Sequence, residues 1–123
     1  MEKKDYKLLN GGTLAFIGDA YYEIRIRKYC LDKGINNLGK LHNECVKYVS
    51  RTSQNKIIQT IKLNDDEVEI FKRGRNYNYK DSSAEYINAS GFEAVIGYLY
   101  LQEKYERLDE IINEAIEIIN DAR

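Results

Sequence analysis

The sequence contains no proline, a single histidine and two cysteines. Because proline breaks helices more strongly than any other residue, its absence allows long helices anywhere in the chain. The two cysteines, Cys30 and Cys45, and the one histidine are too few for a structural zinc site with four Cys and His ligands. We expect both to be reduced thiols of the core, and His42 to be a surface or capping residue.

Long hydrophobic runs are also absent. No apolar run approaches the roughly 20 residues that a membrane-spanning helix needs. The first five residues, Met-Glu-Lys-Lys-Asp, lack the apolar stretch of a secretory signal. We therefore expect a cytoplasmic protein without a membrane partner. The chain has no phosphate-binding glycine loop of the Walker type and no nucleophile elbow, which excludes the hydrolases that depend on them.

The remaining composition is that of an ordinary globular domain. The 123 residues are 43% hydrophobic and 32% charged, enough for one core and too few for a second domain. There is no internal repeat, low-complexity tract or long linker. We expect a single domain over residues 1–123 with an all-α fold, a compact helical bundle.

Apolar spacing and capping residues predict about five helices. The first covers residues 13–33, and the second covers residues 37–62 without interruption. Asn64 with Glu67 three residues later forms a capping-box pattern, which starts a third helix that ends at Gly74.

The second half of the chain continues the pattern. Residues 73–83 are predicted to form a loop, and Ser82 with Glu85 is a second candidate capping box before the helix that carries Glu93. The last helix has an apolar stripe made of Leu108, Ile111, Ile112, Ala115, Ile116 and Ile119.

Basic residues are concentrated in the middle of the chain. Residues 40–80 contain nine basic and five acidic residues, a balance of +4, whereas the balance from residue 103 onward is −4. The overall net charge of −1 does not by itself indicate a nucleic-acid binder, but an uneven distribution creates a local basic surface. We predict that the middle third of the chain faces any polyanionic partner.

Two carboxylates lie within apolar helical segments, each near a glycine. Asp19 follows Gly18, and Glu93 precedes Gly97 by one helical turn. A glycine inside a helix costs about 1 kcal/mol relative to alanine, and close approach of two helix backbones is the simplest reason to keep one. That approach would bring the two acids together. We expect both to be partly buried, with a basic side chain, hydrogen-bond donors or a hard cation such as Mg²⁺ as their partner.

The pattern alone also fits a purely structural role for these acids. Asp19, Glu23 and Arg27 lie at positions i, i+4 and i+8, so ion pairs along one helix would satisfy the first two without a metal. At this point both alternatives stay open.

The residues around these acids resemble those of a known family. Residues 14–20 (LAFIGDA), with Glu23, look like the signature helix of the ribonuclease III family, and residues 92–101 (FEAVIGYLYL) look like its second catalytic helix. The order of the two motifs matches. The resemblance is closest to the Mini-ribonuclease III branch, which has the catalytic domain without a double-stranded-RNA-binding domain, and residues 41–58 and 73–76 also look like that branch.

The resemblance implies a homodimer that hydrolyses double-stranded RNA with Mg²⁺, or Mn²⁺ in its place. Asp19 and Glu93 match the family's catalytic, metal-binding acids. The implied products carry 5′-phosphates, the implied substrate is precursor 23S ribosomal RNA, and an accessory ribosomal protein is a further implied partner. Ala15 and Ser90 stand where full-length members usually have additional acids, which leaves the number of metals undecided.

The candidate binding surfaces follow from the resemblance to the ribonuclease III family and from helical spacing. RNA contacts are expected from Lys47, Ser50, Arg51 and Gln54 on one side of the second helix, and from Lys72, Arg73, Arg75 and Lys80 in a mobile basic loop. Because the first helix is apolar on nearly every side, we place Phe16, Ala20, Tyr22, Glu23 and Ile26 near a partner subunit. The alternatives are a non-catalytic ribonuclease III-fold RNA-binding protein and a helical protein-interaction module.

Overall fold

The computed structural model describes residues 3–122. Over these residues it contains a short 3₁₀ helix, Lys3–Leu8, and no strand. The helices that follow are α1 (Gly11–Asp32), α2 (Leu38–Val49), α3 (Arg51–Thr60), α4 (Asp65–Arg75), α5 (Ala84–Leu101) and α6 (Tyr105–Asp121). The predicted all-α bundle is confirmed. None of these helices is long and apolar enough to cross a bilayer.

Helix α5 forms the centre of the bundle, and α1 packs along it. The side chain of Asn10 caps α1 by accepting a hydrogen bond from the Thr13 amide, and Ser83 caps α5 by accepting one from the Tyr86 amide. Ten of the residues of α5 are buried, and they are surrounded by the apolar faces of the other helices. A helix that is apolar on all sides lies inside a bundle rather than on its surface.

The contact between α1 and α5 depends on two glycines. A Cβ atom on Gly18 would overlap the carbonyl oxygen of Glu93, and a Cβ atom on Gly97 would overlap the carbonyl oxygen of Leu14. The two backbones therefore approach more closely than any side chain would permit, as the glycine positions predicted. Asp19 and Glu93 lie beside this contact, one on each helix.

The prediction of one uninterrupted helix over residues 37–62 is wrong. Ser50 has an extended conformation (φ −63°, ψ 155°), and it separates α2 from α3. Its hydroxyl accepts a hydrogen bond from the Ser53 amide, and the Ser53 hydroxyl donates to the Lys47 carbonyl oxygen (2.6 Å). Serine side chains that bond to nearby backbone groups compete with helix continuation, and here they stabilise a corner.

Other boundaries differ by a few residues. The capping box of Asn64 and Glu67 is confirmed, but α4 continues through Gly74, where the missing Cβ allows contact with Ala94 of α5. The N-cap of α5 is Ser83 and not Ser82, so Glu85 is not part of a capping box. The apolar stripe of α6 is buried as predicted, and both cysteines are free and buried.

Candidate active site

A cavity of about 210 Å³ opens between α1, α3 and α5. It is lined by both acids singled out in the sequence and by side chains of the α2–α3 corner and of α5: Asp19, Val49, Arg51, Gln54, Tyr86, Ala89, Ser90 and Glu93. A polar cavity in which two carboxylates meet is the natural candidate for a catalytic site.

The two acids occupy different environments. Asp19 is exposed at the edge of the cavity, so the prediction that it would be partly buried is wrong, whereas Glu93 is partly buried as predicted. Glu23 forms an ion pair with Arg27 (3.6 Å). Asp19 forms no ion pair with another of residues 3–122, so the alternative of a chain of ion pairs along α1 holds for Glu23 and not for Asp19.

The electrostatics of the cavity favour a bound cation. Burial and the neighbouring Asp19 carboxylate together raise the pKa of Glu93 to about 8, against smaller lowering effects of the Gln54 hydrogen bond and the Arg51 charge. Desolvation and a like charge both disfavour the ionised form of a carboxyl group. A divalent cation between the two acids would remove both effects.

The donor set fits Mg²⁺ or Mn²⁺. Carboxylate oxygens of Asp19 and Glu93 are hard ligands of the type that these ions bind, and Mg²⁺ is commonly held by only one or two carboxylates together with water and phosphate. The described part of the chain contains no cluster of three or more His, Cys, Asp or Glu side chains that could form a closed metal cage. The site is therefore suited to an ion that keeps several water molecules among its ligands.

Gln54 makes the direct protein contact to Glu93. Its Nε2 donates hydrogen bonds to Glu93 Oε2 (3.2 Å) and to the Val49 carbonyl oxygen (3.0 Å), while its Oε1 is buried without a partner among the described residues. An unsatisfied buried acceptor costs about 1–3 kcal/mol. Gln54 is thus a buried part of the cavity wall, whereas the sequence analysis had placed it on an exposed helix face as an RNA contact.

Arg51 and Tyr86 form one side of the cavity. The Arg51 guanidinium lies 4.3 Å from the centre of the Tyr86 ring, and it also faces Asp81 at 3.7 Å. A guanidinium stacked on an aromatic ring keeps its hydrogen-bond donors available for a phosphate. Sequence reasoning missed Tyr86, whose signal was its place about two helical turns before Glu93 on α5.

The α2–α3 corner separates the remaining residues of the first predicted RNA track. Lys47 is exposed at the end of α2 and is paired with Glu44 (2.8 Å), whereas Ser50 is the N-cap of α3. Together with buried Gln54, these positions do not form one continuous helical face. Arg51 is the member of this track that is exposed and lines the cavity.

The second predicted RNA segment is mostly helical and not a loop. Lys72, Arg73 and Arg75 belong to the last turn of α4, and Lys80 is exposed in the connection to α5. Arg73 donates to the backbone carbonyl oxygens of Lys7 and Leu9, so it ties α4 to the N-terminal segment. Arg75 donates to Asn88 Oδ1 (2.8 Å) on α5.

Two of the five predicted interface residues are unavailable to a partner. Tyr22 and Ile26 are 1% and 0% exposed and belong to the core of this subunit, which corrects their placement. Phe16 is 79% exposed, Ala20 is exposed, and Glu23 is partly exposed. The surface of α1 therefore still presents apolar side chains, but they are Phe16 and its exposed neighbours rather than the residues that point inward.

An apolar groove of about 260 Å³ lies between α1 and α2. Its wall combines aliphatic residues with three polar ones: Glu23, Arg27, Leu31, Leu38, Leu41, His42, Cys45, Val46 and Val49. Leu38 and Leu31 are 82% and 55% exposed. Large exposed aliphatic side chains that line a groove mark an interaction surface.

Comparison with known proteins agrees with the geometry. Residues 12–104 match the sequence family described as the Ribonuclease III domain, and this range includes all of the cavity residues. A protein named Mini-ribonuclease 3 from Clostridium tetani is 41% identical over 98% of this chain and 85% of its own length, and one from Streptococcus pneumoniae is 41% identical over 92% and 95%. A crystal structure of a protein from Fusobacterium nucleatum superposes with a TM-score of 0.80 at 34% identity, covering 92% of this chain and 96% of that one. The chain belongs to the ribonuclease III family of endoribonucleases.

Proposed function

We propose that this protein cleaves double-stranded RNA by metal-dependent hydrolysis of the phosphodiester backbone, with Asp19 and Glu93 as the acids that hold Mg²⁺ or Mn²⁺. The observation that carries the proposal is the pairing of these two carboxylates in one cavity, where the pKa of Glu93 is raised to about 8 in the absence of a cation. Such a pair is unfavourable in the ionised state unless a cation is bound.

The residues of the cavity have different roles in the proposed hydrolysis. A bound divalent ion supplies Lewis-acid polarisation of the phosphate and a water of lowered pKa. Asp19 and Glu93 hold that ion, and no covalent nucleophile is needed. We propose that Arg51, which is stacked on Tyr86 in the cavity wall, binds a backbone phosphate next to the scissile bond.

The RNA surface extends outward from Arg51. Lys47, Arg75, Lys72 and Lys80 are exposed and lie on α2, α4 and the connection to α5. Contacts of this kind are made to phosphates and 2′-hydroxyls, so they read the shape of an A-form helix and give little base specificity. We propose products with 5′-phosphates and precursor 23S ribosomal RNA as the biological substrate, presented by an accessory ribosomal protein.

The proposed active form is a homodimer. One cavity cuts one strand, so coordinated cleavage of a duplex requires two cavities related by a two-fold axis. The exposed apolar residues Phe16 and Ile24 of α1 (79% and 61% exposed) and the apolar groove between α1 and α2 are the surfaces that we propose a second copy buries.

A cleavage assay tests the proposal directly. Duplex RNA is incubated with the protein and Mg²⁺, and the matched controls are the same RNA as a single strand, duplex DNA of the same sequence, and the reaction with a chelator. We expect cleavage of the RNA duplex alone, and only with metal. Binding without cleavage would instead identify a non-catalytic RNA-binding relative, and neither binding nor cleavage would identify a protein-interaction module.

A further inference from the structure

We propose that Gln54 is a positioning residue for Glu93: its neutral amide holds one carboxylate oxygen and leaves the full negative charge of Glu93 to a divalent cation. The inference rests on the proposed function, in which Glu93 is a metal ligand. Gln54 itself is not assigned a direct contact with the RNA or the metal.

The position of Gln54 links the α2–α3 corner to the catalytic helix. The side chain is 3% exposed, and its Nε2 joins the last carbonyl of α2, that of Val49, to Glu93 on α5. The corner is itself held by the hydrogen bonds of Ser50 and Ser53 described above. The direction of the Glu93 carboxylate is therefore set by a rigid backbone feature, through a single side chain.

The orientation of the amide is determined by its partners. Both groups that Nε2 reaches are hydrogen-bond acceptors, so a reversed amide would place its oxygen against the Val49 carbonyl and the Glu93 carboxylate. In the orientation observed, Oε1 is left without a partner among the described residues. A leucine would fill a similar volume with no unpaired oxygen, so packing alone does not explain a glutamine at this position.

A second buried carboxylate in the same molecule shows what a purely structural arrangement looks like. Glu67 is 1% exposed and receives two hydrogen bonds of 2.8 Å from the guanidinium of Arg107. That pairing neutralises its charge inside the protein. Glu93 is held by a neutral donor instead, and an arginine or lysine in place of Gln54 would compete with a metal ion for the carboxylate.

The matched control is a second polar bridge between the same two helices. Asn88 Nδ2 on α5 donates to Asn55 Oδ1 on α3 (2.9 Å). Asn55 directly follows Gln54 in the chain, but the hydrogen bond to Glu93 comes from Gln54. Loss of this bridge weakens the α3–α5 contact and leaves the carboxylate untouched. Asn55→Ala therefore reports what a merely structural side chain contributes.

The experiment measures Mn²⁺ binding to the RNA-free protein by calorimetry, together with kcat and KM for duplex RNA. Gln54→Leu removes the donor at similar volume, and Gln54→Met removes it at the same chain length in case the leucine variant does not fold. We expect both to weaken Mn²⁺ affinity and to lower kcat by about 10–100-fold, with KM changed less than about 3-fold. Asn55→Ala should keep the wild-type Mn²⁺ affinity.

The outcomes separate this inference from the proposed function. If the wild-type protein neither binds Mn²⁺ nor cleaves duplex RNA, the proposed function is wrong. If the wild-type protein does both, and folded Gln54→Leu or Gln54→Met binds Mn²⁺ as tightly, the positioning role is wrong. Equal losses of affinity in the Gln54 variants and in Asn55→Ala would also overturn it, because they would trace the effect to the helix contact.

Discussion

Asp19 and Glu93 meet at one cavity with opposite exposures: Asp19 lies open to solvent on α1, whereas Glu93 is partly buried on α5 and receives a hydrogen bond from Gln54. A metal ion at this site would thus have one ligand that is hydrogen-bonded to Gln54 and one that lies open to solvent.

Replacement of either acid by its amide should stop cleavage. Asp19→Asn and Glu93→Gln each remove one charge at nearly constant volume, so the fold and the binding of RNA should persist. Loss of a metal-bound charge costs several kcal/mol of transition-state stabilisation, or roughly 10³-fold in kcat. Single-turnover cleavage of duplex RNA with Mg²⁺ measures this loss of rate. Glu23→Gln is the control, and its effect should be milder. Wild-type rates in either amide variant would remove these residues from the catalytic role.

The stability of the metal-free protein should decrease as the pH rises. The pKa of Glu93 is about 8 in the folded state and 4.5 as an ordinary value, so the folded state binds more protons between these limits. The stabilisation that the Glu93 carboxyl group gives the folded state is therefore fully present below pH 4.5, and it is lost as the pH rises through 8. The lowered pKa of Glu44, about 2, has the opposite sign but acts below pH 4.5.

Thermal unfolding in chelator from pH 5 to 8.5 measures this dependence. Glu93→Gln lacks the titrating group and should show a flatter profile than the wild-type protein. Added Mg²⁺ should also reduce the loss at high pH, because the cation replaces the proton. Identical profiles for the wild type and Glu93→Gln would show that Glu93 does not titrate in this range.

Gly18→Ala should destabilise the protein and impair the site together. The added methyl group would overlap the Glu93 carbonyl oxygen, and relief requires separation of α1 and α5. Such overpacking costs about 1–3 kcal/mol or more. The matched control is Gly39→Ala on α2, where the nearest atom to the new Cβ is Asn37 Oδ1 at 3.4 Å, and a gain of about 0.4–1 kcal/mol is expected. Urea denaturation compares the two, and equal stabilities would show that α1 and α5 can move apart freely.

The basic residues should separate into RNA-binding and structural ones. Arg51→Ala and Arg75→Ala should raise KM more than they lower kcat, and each lost phosphate contact should reduce the salt dependence of RNA binding by about one unit of slope. Arg73→Ala should instead lower the melting temperature, since Arg73 holds the backbone of Lys7 and Leu9. An unchanged salt slope in the Arg51 and Arg75 variants would place the RNA elsewhere on the molecule.

Phe16→Asp should give a folded monomer that has lost duplex cleavage. Because this side chain is 79% exposed, a charge there should prevent association without disturbing the core. Ile26→Ala is the contrasting variant: its side chain is fully buried, and the change should cost about 2–5 kcal/mol of stability. Light scattering at micromolar concentration should give twice the 14.4 kDa chain mass for the wild-type protein and 14.4 kDa for Phe16→Asp. A wild-type monomer that still makes staggered double-strand cuts would contradict the dimer.

The sequence was sufficient to predict the α1–α5 contact and the two acids beside it. Gly18 and Gly97 each lower the stability of their own helix, which predicts that close packing requires them. The structure confirms that the backbones of α1 and α5 meet at these two glycines. The capping box at Asn64 and the apolar stripe of α6 are likewise local signals. In each case the sequence signal lies within one or two helical turns, even where, as for α1 and α5, the contact that it predicts is between distant parts of the chain.

The misplaced residues depended on tertiary context. On α1, the buried positions Leu14, Tyr22 and Ile26 recur every fourth residue or its multiple, but Phe16 and Ile24 are also apolar and face outward. Periodicity cannot select one face when both are apolar. The break at Ser50 lacked a glycine or proline, and the burial of Gln54 follows from that break.

The pairing of α1 with α5 also has a consequence for folding. Helices α2, α3 and α4 lie between them in the chain, so the contact forms only after a long loop has closed, and such contacts are slow. A nascent chain that ends after α4 carries Asp19 but lacks Glu93 entirely. If Asp19 and Glu93 act together as proposed, chains that have not yet added α5, or in which α1 and α5 have separated, should not cleave RNA.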